Sequence, residues 1–455
     1  MNKAANKLKL FPTNTDMVSP VKVGVATLGC KVNQYESAAL AEELQGKNFL
    51  LVPFNSFADV YIINTCTVTS FSDYQARQLI NRAHRANPQA KILVTGCYAQ
   101  IAYLTLAQIE GVTFVVGNDQ KKNIADILTD KMSISSRIFV DDIFRQDEFC
   151  FMPVSRFRDR TRAFLKIQDG CNSFCSYCIV PYARGKSRSL SAQDVLTALS
   201  RFNDENYKEI VLTGIHLGVY GHDLEPATTL SQLLHSVFNS PWNMRCRLSS
   251  IEPREINADL LNIFKNNDLL CPHLHIPLQS GDDNILKLMN RDYNTRFYRN
   301  IMEKVCSEVD NIAIGVDVMA GFPTESEDQF KNTLNFLEEL PVAYLHVFPY
   351  SERPQTAAQN FQPKIPPAVK KERAAILRDL STRKREKFAL RFLGKSLNVL
   401  VEKTKDKKTG LLKGFSENYL PFLMNGNIAS AANKIVTVRA EKYSDGKLYG
   451  KIISE

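Results

Sequence analysis

Residues 163–178 read AFLKIQDGCNSFCSYC. A short apolar run of strand type leads into a loop that carries Cys171, Cys175 and Cys178 within eight residues. Thiolates are soft ligands that suit zinc or an iron–sulfur cluster. A structural zinc site or an ordinary iron–sulfur cluster normally takes four protein ligands, so three thiols leave one coordination position for something else. A zinc site would need a fourth ligand, usually from a separated pair, and the chain has no second CxxC. Cys271, His273 and His275 in CPHLHIPL fall on one strand face by alternation. CxHxH is nonetheless far from zinc spacing, and histidines on such a strand more often face a cavity or pack. A cubane held by three thiolates instead offers an open iron that the amine and carboxylate of an amino acid can chelate.

Working outward, the strand recurs. EIVLTGIHLG, RCRLSSIEP, HLHIPLQSG, IAIGVDVMAGFP and AYLHVFPYSE are strand-like, and helical stretches such as DVLTALSRFNDENY and EDQFKNTLNFLEEL lie between them. With AFLKIQDG they make six βα units, too few for a closed eight-stranded barrel. An α/β fold follows, with an open (β/α)6 partial barrel over residues 161–387 and its active site at the C-terminal strand ends. The cysteine loop follows the first strand and therefore lies there. Thr213, Gly214, Ser249, Glu252, Gln279, Asp317 and Gly321 sit at strand ends and are candidate cofactor contacts. The competing reading is structural, because glycines make tight turns and polar strand-end residues cap helices. Arg184, Lys186 and Arg188 are candidates for RNA or cofactor contact, or belong to a solvated loop.

Residues 21–135 show the same rhythm. VKVGVATLG, ADVYIINTC, KILVTGC and TFVVGN are strands separated by helices, including AYLTLAQI. A parallel sheet is expected. Three of these strands end in Cys30, Cys66 and Cys97, spaced by 36 and 31 residues, about one βαβ unit each. Parallel strands share one direction, so the three thiols arrive at the carboxyl edge, where open α/β sheets bind ligands. The alternative is three unrelated buried cysteines. Residues 136–160 break the rhythm and read as a linker. Residues 388–455 (LNVLVEK, LLKGFSENYLPFLM, KIVTVRAEKY, KLYGKI) read as short strands of a small β-barrel.

The 455 residues are 44% apolar and 23% charged, as in soluble globular proteins of two to four domains. No apolar run is long enough to span a bilayer. Residues 1–20 lack an apolar core and a cleavage site, and read as a poorly ordered leader rather than a secretory signal. A cytoplasmic enzyme is expected. Ten cysteines are too few for a disulfide scaffold, and clustered thiols in a reducing compartment point to metal or catalysis. Cys150, Cys246, Cys271 and Cys306 receive no role. The net charge of +9 is uneven, because residues 364–413 hold sixteen Lys or Arg against five Asp or Glu. Such a block is a footprint for a polyanion, or a solvated helix face.

CNSFCSYC after the first strand of such a barrel resembles the radical S-adenosylmethionine enzymes. In these the open iron binds S-adenosylmethionine and donates the electron that yields a 5′-deoxyadenosyl radical. Tyr177 fills the position of that family's aromatic residue near the adenine. TLGCKVNQYES, INTCTVT, VTGCYAQ, CIVPYARGKSRS, RLSSIEP, HIPLQSG, VMAGFPTESEDQF and HVFPYSERPQT narrow the resemblance to the methylthiotransferases, over residues 21–455. GFSENY and its surroundings resemble their RNA-binding TRAM module. The resemblance implies a radical-generating 4Fe–4S cluster on Cys171, Cys175 and Cys178 and an auxiliary 4Fe–4S cluster on Cys30, Cys66 and Cys97. It also implies S-adenosylmethionine as cofactor, the tRNA anticodon stem-loop as partner, an external electron donor, and neither DNA nor membrane. TLGCKVN is similar to the branch acting at C2 of N6-threonylcarbamoyladenosine, position 37 of tRNA. Sister branches act on isopentenyladenosine in tRNA or a ribosomal-protein aspartate. Outside the family, a two-cluster electron carrier or a zinc-containing nucleic-acid-binding protein are the competing classes.

Overall fold

The computed structural model describes residues 20–129, 136–157 and 160–454. The expected leader, Pro20 apart, lies outside them. The chain groups into two compact units: Met1–Val154 with Ile179–Lys186, and Ser155–Cys178 with Ser187–Glu455.

The first unit is built on one parallel sheet in the order β2-β1-β3-β4-β5-β6. Its strands are β1 (Lys22–Thr27), β2 (Leu50–Val52), β3 (Val60–Thr65), β4 (Lys91–Gly96), β5 (Val112–Val116) and β6 (Ile138–Phe139). β3 is buried along its whole length, as a parallel strand covered on both faces must be. The helix Ser70–Ala86 begins where the Thr69 side chain accepts the Ser72 N–H, and its acidic first and basic last turns suit the helix dipole. The short strands β2 and β6 were not expected, and β6 falls in the stretch read as linker. Two or three residues are too few for a periodic pattern to register. The helix expected in AYLTLAQI is there as Tyr103–Ala107, preceded by a separate short helix, Cys97–Ile101, from which Ala102, with a φ of −126°, divides it.

In the second unit, β7 (Ala163–Lys166), β10 (Glu209–Thr213) and β11 (Arg245–Leu248) form one parallel sheet. β12 (His273–His275), β13 (Ala313–Ala320) and β14 (Tyr344–Pro349) form another. Parallel bridges Cys246–Leu270 and Ser250–His275 join the two. Six strands therefore follow in sequence order, the expected partial barrel. β8 (Gln168–Asp169) and β9 (Arg188–Ser189) form a small antiparallel pair that brackets the cysteine loop in sequence. Two of the intervening helices open with capping boxes, at Thr229/Gln232 and Ser326/Gln329.

The C-terminal residues form a closed five-stranded barrel, β15 (Ser396–Val401), β16 (Leu412–Ser416), β17 (Pro421–Met424), β18 (Ile435–Ser444) and β19 (Lys447–Ser454), in the order β15-β16-β17-β19-β18. LLKGFSENYLPFLM is a hairpin rather than one strand: Ser416 Oγ accepts the Leu420 N–H and Tyr419 turns the chain at a φ of +66°. The long helix Pro367–Leu390 contributes Phe388 and Ala389 to this barrel's core, beside Leu397, Val399, Phe422 and Val436.

Candidate cluster sites and cofactor cleft

β1, β3 and β4 are neighbours in the sheet, and each releases a cysteine just past its carboxyl end. Cys30 precedes the helix Lys31–Gly46, Cys66 follows Thr65, and Cys97 opens the helix Cys97–Ile101. Two glycines make this possible. Gly29 has a φ of +97°, and a Cβ there would come 2.7 Å from Cys66 Cβ and 3.0 Å from its sulfur. Gly96 has the same φ, and its Cβ would meet the Thr65 carbonyl oxygen at 2.3 Å.

Polar groups hold the thiols. Asn33 Nδ2 donates to the carbonyls of Leu28 (2.8 Å) and Thr65 (2.9 Å), while its Oδ1 faces Cys30 Sγ at 3.9 Å. Arg184 Nη2 donates to the same Asn33 oxygen at 2.7 Å, and Arg184 Nη1 to Glu36 at 2.7 Å. Lys121 pairs with the other Glu36 oxygen. All three charged side chains are buried. Asn118 Nδ2 donates to the Ala183 carbonyl at 2.7 Å and lies 3.9 Å from Cys97 Sγ. Burial raises the Cys30 thiol, and raises Cys66 to about 11, with Cys97 adding to that. These thiols are thus protonated on their own, and a metal centre's positive charge is what would draw off the protons. The donor set, its cradle and the buried cations around it fit a cluster.

The second set sits in the loop after β8. Gly170 turns the chain at a φ of +73°, Phe174 at +44°, and the Cys178 N–H donates to the Cys175 carbonyl. His216 Nδ1 is 3.5 Å from Cys171 Sγ, and its Nε2 is held by Glu255. Burial disfavours the imidazolium, yet Cys171 and Glu255 hold His216 up at about 10. Burial would raise Cys171 in turn, but His216 lowers it. Arg291 Nη1 donates to Cys175 Sγ at 3.3 Å and pairs with Glu252. A cleft lined by Ser173, Cys175, His216, Glu252, Glu255 and Arg291 opens beside these thiols. Tyr177 packs among Ile285, Met289, Met319, Phe322 and Tyr350.

The other sequence candidates divide. Glu252 lines the cleft. Ser249, just past β11, is buried, and its Oγ has no partner among the described residues, as a polar atom awaiting a ligand would be. Thr213 is buried at the end of β10, and Gly214 leaves room for Gln168, whose Cβ would be 2.9 Å from a Cβ there. Gln279 has a φ of +72° and bridges to Val318. Gly321 packs against Lys370 and donates its N–H to Glu325. Asp317 lies between two imidazoles, His275 and His346. Arg184 is buried on Glu36, Lys186 pairs with Asp147, and Arg188 is buried on β9. Cys271, His273 and His275 do not converge: His273 Nε2 meets Tyr344 Oη at 2.8 Å, while His275 meets Asp317. Asn33, Glu36, Asn118, Lys121, His216 and Arg291 were missed, since isolated polar residues carry no local spacing signal.

No helix among the described residues is long and apolar enough to cross a membrane. A model described as uncharacterized protein family UPF0004 matches residues 22–117, and the radical SAM superfamily model matches residues 165–337. Threonylcarbamoyladenosine tRNA methylthiotransferase MtaB of Aquifex aeolicus is 39% identical over 84% of this chain and 93% of its own. The protein of that name from Bacillus subtilis is 37% identical over 93% and 96%. The tRNA-2-methylthio-N(6)-dimethylallyladenosine synthase of Clostridium botulinum is 31% identical over 86% and 88%. The solved radical S-adenosylmethionine methyltransferase TsrM of Kitasatospora setae shares the fold, with a TM-score of 0.53 at 13% identity over 72% of each chain. The chain belongs to the radical S-adenosylmethionine methylthiotransferase family, and within it to the MtaB branch.

Proposed function

We propose that this protein transfers a methylthio group to C2 of N6-threonylcarbamoyladenosine at position 37 of tRNA, in the cytoplasm, with an external electron donor. The observation that carries the reading is the delivery of three cysteines by three adjacent parallel strands in a chain that also bears the C-x3-C-x2-C loop on a partial barrel. A C2–H bond is neither acidic nor electrophilic enough for side-chain acid–base chemistry, so cofactors must carry the reaction. When bound, two 4Fe–4S clusters and S-adenosylmethionine supply one-electron reduction, hydrogen abstraction, sulfur and the methyl group.

The chain's residues hold and orient. Cys30, Cys66 and Cys97 would ligate the auxiliary cluster, with Asn33 and Asn118 against two of the sulfurs. Cys171, Cys175 and Cys178 would ligate the other, with His216 and Arg291 donating to Cys171 and Cys175. Glu252 and Ser249 offer polar atoms to S-adenosylmethionine, Tyr177 backs the adenine side, and Thr213, Gly214, Gln279 and Gly321 shape the strand ends. The C-terminal barrel and the basic helix Pro367–Leu390 would grip the anticodon stem-loop, whose unpaired bases can be splayed out. Mass spectrometry of tRNA nucleosides from cells lacking the protein tests this. Loss of 2-methylthio-threonylcarbamoyladenosine is expected, and its persistence at normal levels would refute the assignment.

A further inference from the structure

β13 has two faces. Ile314, Val316 and Val318 are fully buried on one. On the other, Ala313 joins the core of the C-terminal barrel and Met319 joins the cluster around Tyr177 of the cysteine loop. Asp317 lies on this second face by alternation, two residues, or roughly 7 Å of strand, from Met319. Register sets His346 of β14 opposite Asp317, and His275 of β12 opposite Gly315. With no side chain at Gly315, His275 reaches diagonally to Asp317.

The three side chains converge. Asp317 Oδ1 is 2.8 Å from His275 Nε2 and 3.6 Å from His346 Nδ1, and all three ligand atoms lie within 4.8 Å of one another. The imidazole centroids are 4.8 Å apart. Among the described residues this is the one group of three His, Cys, Asp or Glu whose ligand atoms come so close. The surroundings fix it. The Asp317 carbonyl accepts the N–H groups of Leu278 and Gln279, and the Tyr344 ring stands 5.3 Å from His346 and 6.4 Å from His275. His275 and Asp317 side chains are 11% and 19% exposed, while His346 is 51% exposed, so the group is closed on one side and open on the other. Burial would raise the Asp317 carboxyl, but the two histidines outweigh it and keep it ionised.

We infer that His275, Asp317 and His346 bind a divalent transition-metal ion such as Zn2+ or Fe2+, whose open coordination positions take the carboxylate and hydroxyl of the substrate's threonine-derived arm. Two imidazoles and one carboxylate are the donor set such ions accept, with positions left for exogenous oxygen ligands. Each imidazole would bind through an unprotonated ring nitrogen. The arm assignment rests on the proposed function. It gives the chain a reason to prefer a base bearing a carboxylate over one bearing an isopentenyl group, which has no oxygen to offer.

Zinc binding tests the site without turnover. Full-length protein, anaerobically reconstituted with iron and sulfide, is titrated with Zn2+ alone and the bound zinc counted after desalting. His346→Ala removes a half-exposed side chain and keeps the fold, and Asp317→Asn keeps the shape. Wild type should hold one zinc more than either variant, or hold it at least tenfold more tightly. Equal zinc in wild type and His346→Ala overturns the ion site. With zinc present, wild type should bind tRNA carrying threonylcarbamoyladenosine more tightly than unmodified tRNA, and His346→Ala should bind both alike. Equal binding of both tRNAs by zinc-loaded wild type overturns the arm assignment. The zinc count and the nucleoside analysis are independent, so failure of the proposed function is distinguishable from failure of this site.

Discussion

At Arg184 one side chain joins a cysteine's support to a buried charge network. The guanidinium forks between Asn33 and Glu36, and Glu36 also holds Lys121. Removing one member of a buried pair leaves an uncompensated charge and costs about 3–5 kcal/mol. Arg184→Ala should lower stability by that amount in urea denaturation and release iron from the N-terminal thiols, while Arg184→Lys, which cannot fork, should restore only part. Unchanged stability and iron content would refute the role. Cys175→Ala should lose half the iron and all reductive cleavage of S-adenosylmethionine, yet keep the N-terminal cluster's absorbance. If both clusters vanish together, the ligands have been divided wrongly. The placement of Cys30, Cys66 and Cys97 at strand ends was legible because cysteine is rare and strand ends recur. Arg184 was visible only as one of several basic residues, and its burial depends on Glu36, far away in sequence. The three Gly-Cys pairs, Gly29–Cys30, Gly96–Cys97 and Gly170–Cys171, were in plain view, but only the fold shows that each glycine takes a positive φ.

Among the elements, β10 and β11 show how a strand's sequence can serve packing beyond its sheet. Glu209 starts β10 and is fully buried. Arg245 and Arg247 of β11 both bond to it, and their remaining N–H groups donate to the carbonyls of Asn398, Phe415 and Glu417 in the C-terminal barrel. Burial alone would raise the Glu209 carboxyl; Arg247, Arg245 and Arg162 outweigh it and hold it at about 2, below its ordinary 4.5. A folded-state value below the unfolded one means stability that is fully present above pH 4.5 and lost as pH falls toward 2. Glu209→Gln should therefore unfold more easily at neutral pH, by about 3–5 kcal/mol. Its stability should also fall less between pH 4.5 and 2 than that of wild type. Parallel denaturation curves across that window for both proteins would show that Glu209 does not titrate on unfolding. The barrel strands were legible as apolar runs between helices. The hairpin β16–β17 was not, because its turn is made by Glu417–Tyr419 without glycine or proline to mark it.

Over the whole molecule, the charge excess is smaller in effect than its count. Arg373 is buried on Glu325, Arg383 pairs with Asp379 and Glu338, and Lys413 pairs with Glu402. Lys371 and Arg378, exposed and seven residues apart on one helix face, are better placed for phosphates. Substituting both by alanine should weaken tRNA binding for every sequence alike and reduce the slope of log affinity against log salt by about 1.5 to 2. An unchanged slope in binding assays at several salt concentrations would place the RNA on another face.

The chain's path through its two compact units has a consequence for anyone who would take it apart. The cysteine loop ends at Cys178 in one unit, and the next eight residues, Ile179–Lys186, belong to the other. No single cut in the polypeptide can therefore separate the two units with both intact. A fragment stopping at Val154 would lack Arg184 and the Ala183 carbonyl that Asn118 needs. Limited proteolysis between Val154 and Ile179 should therefore yield a nicked chain whose pieces stay associated through the packing of Ile179–Lys186 in the first unit.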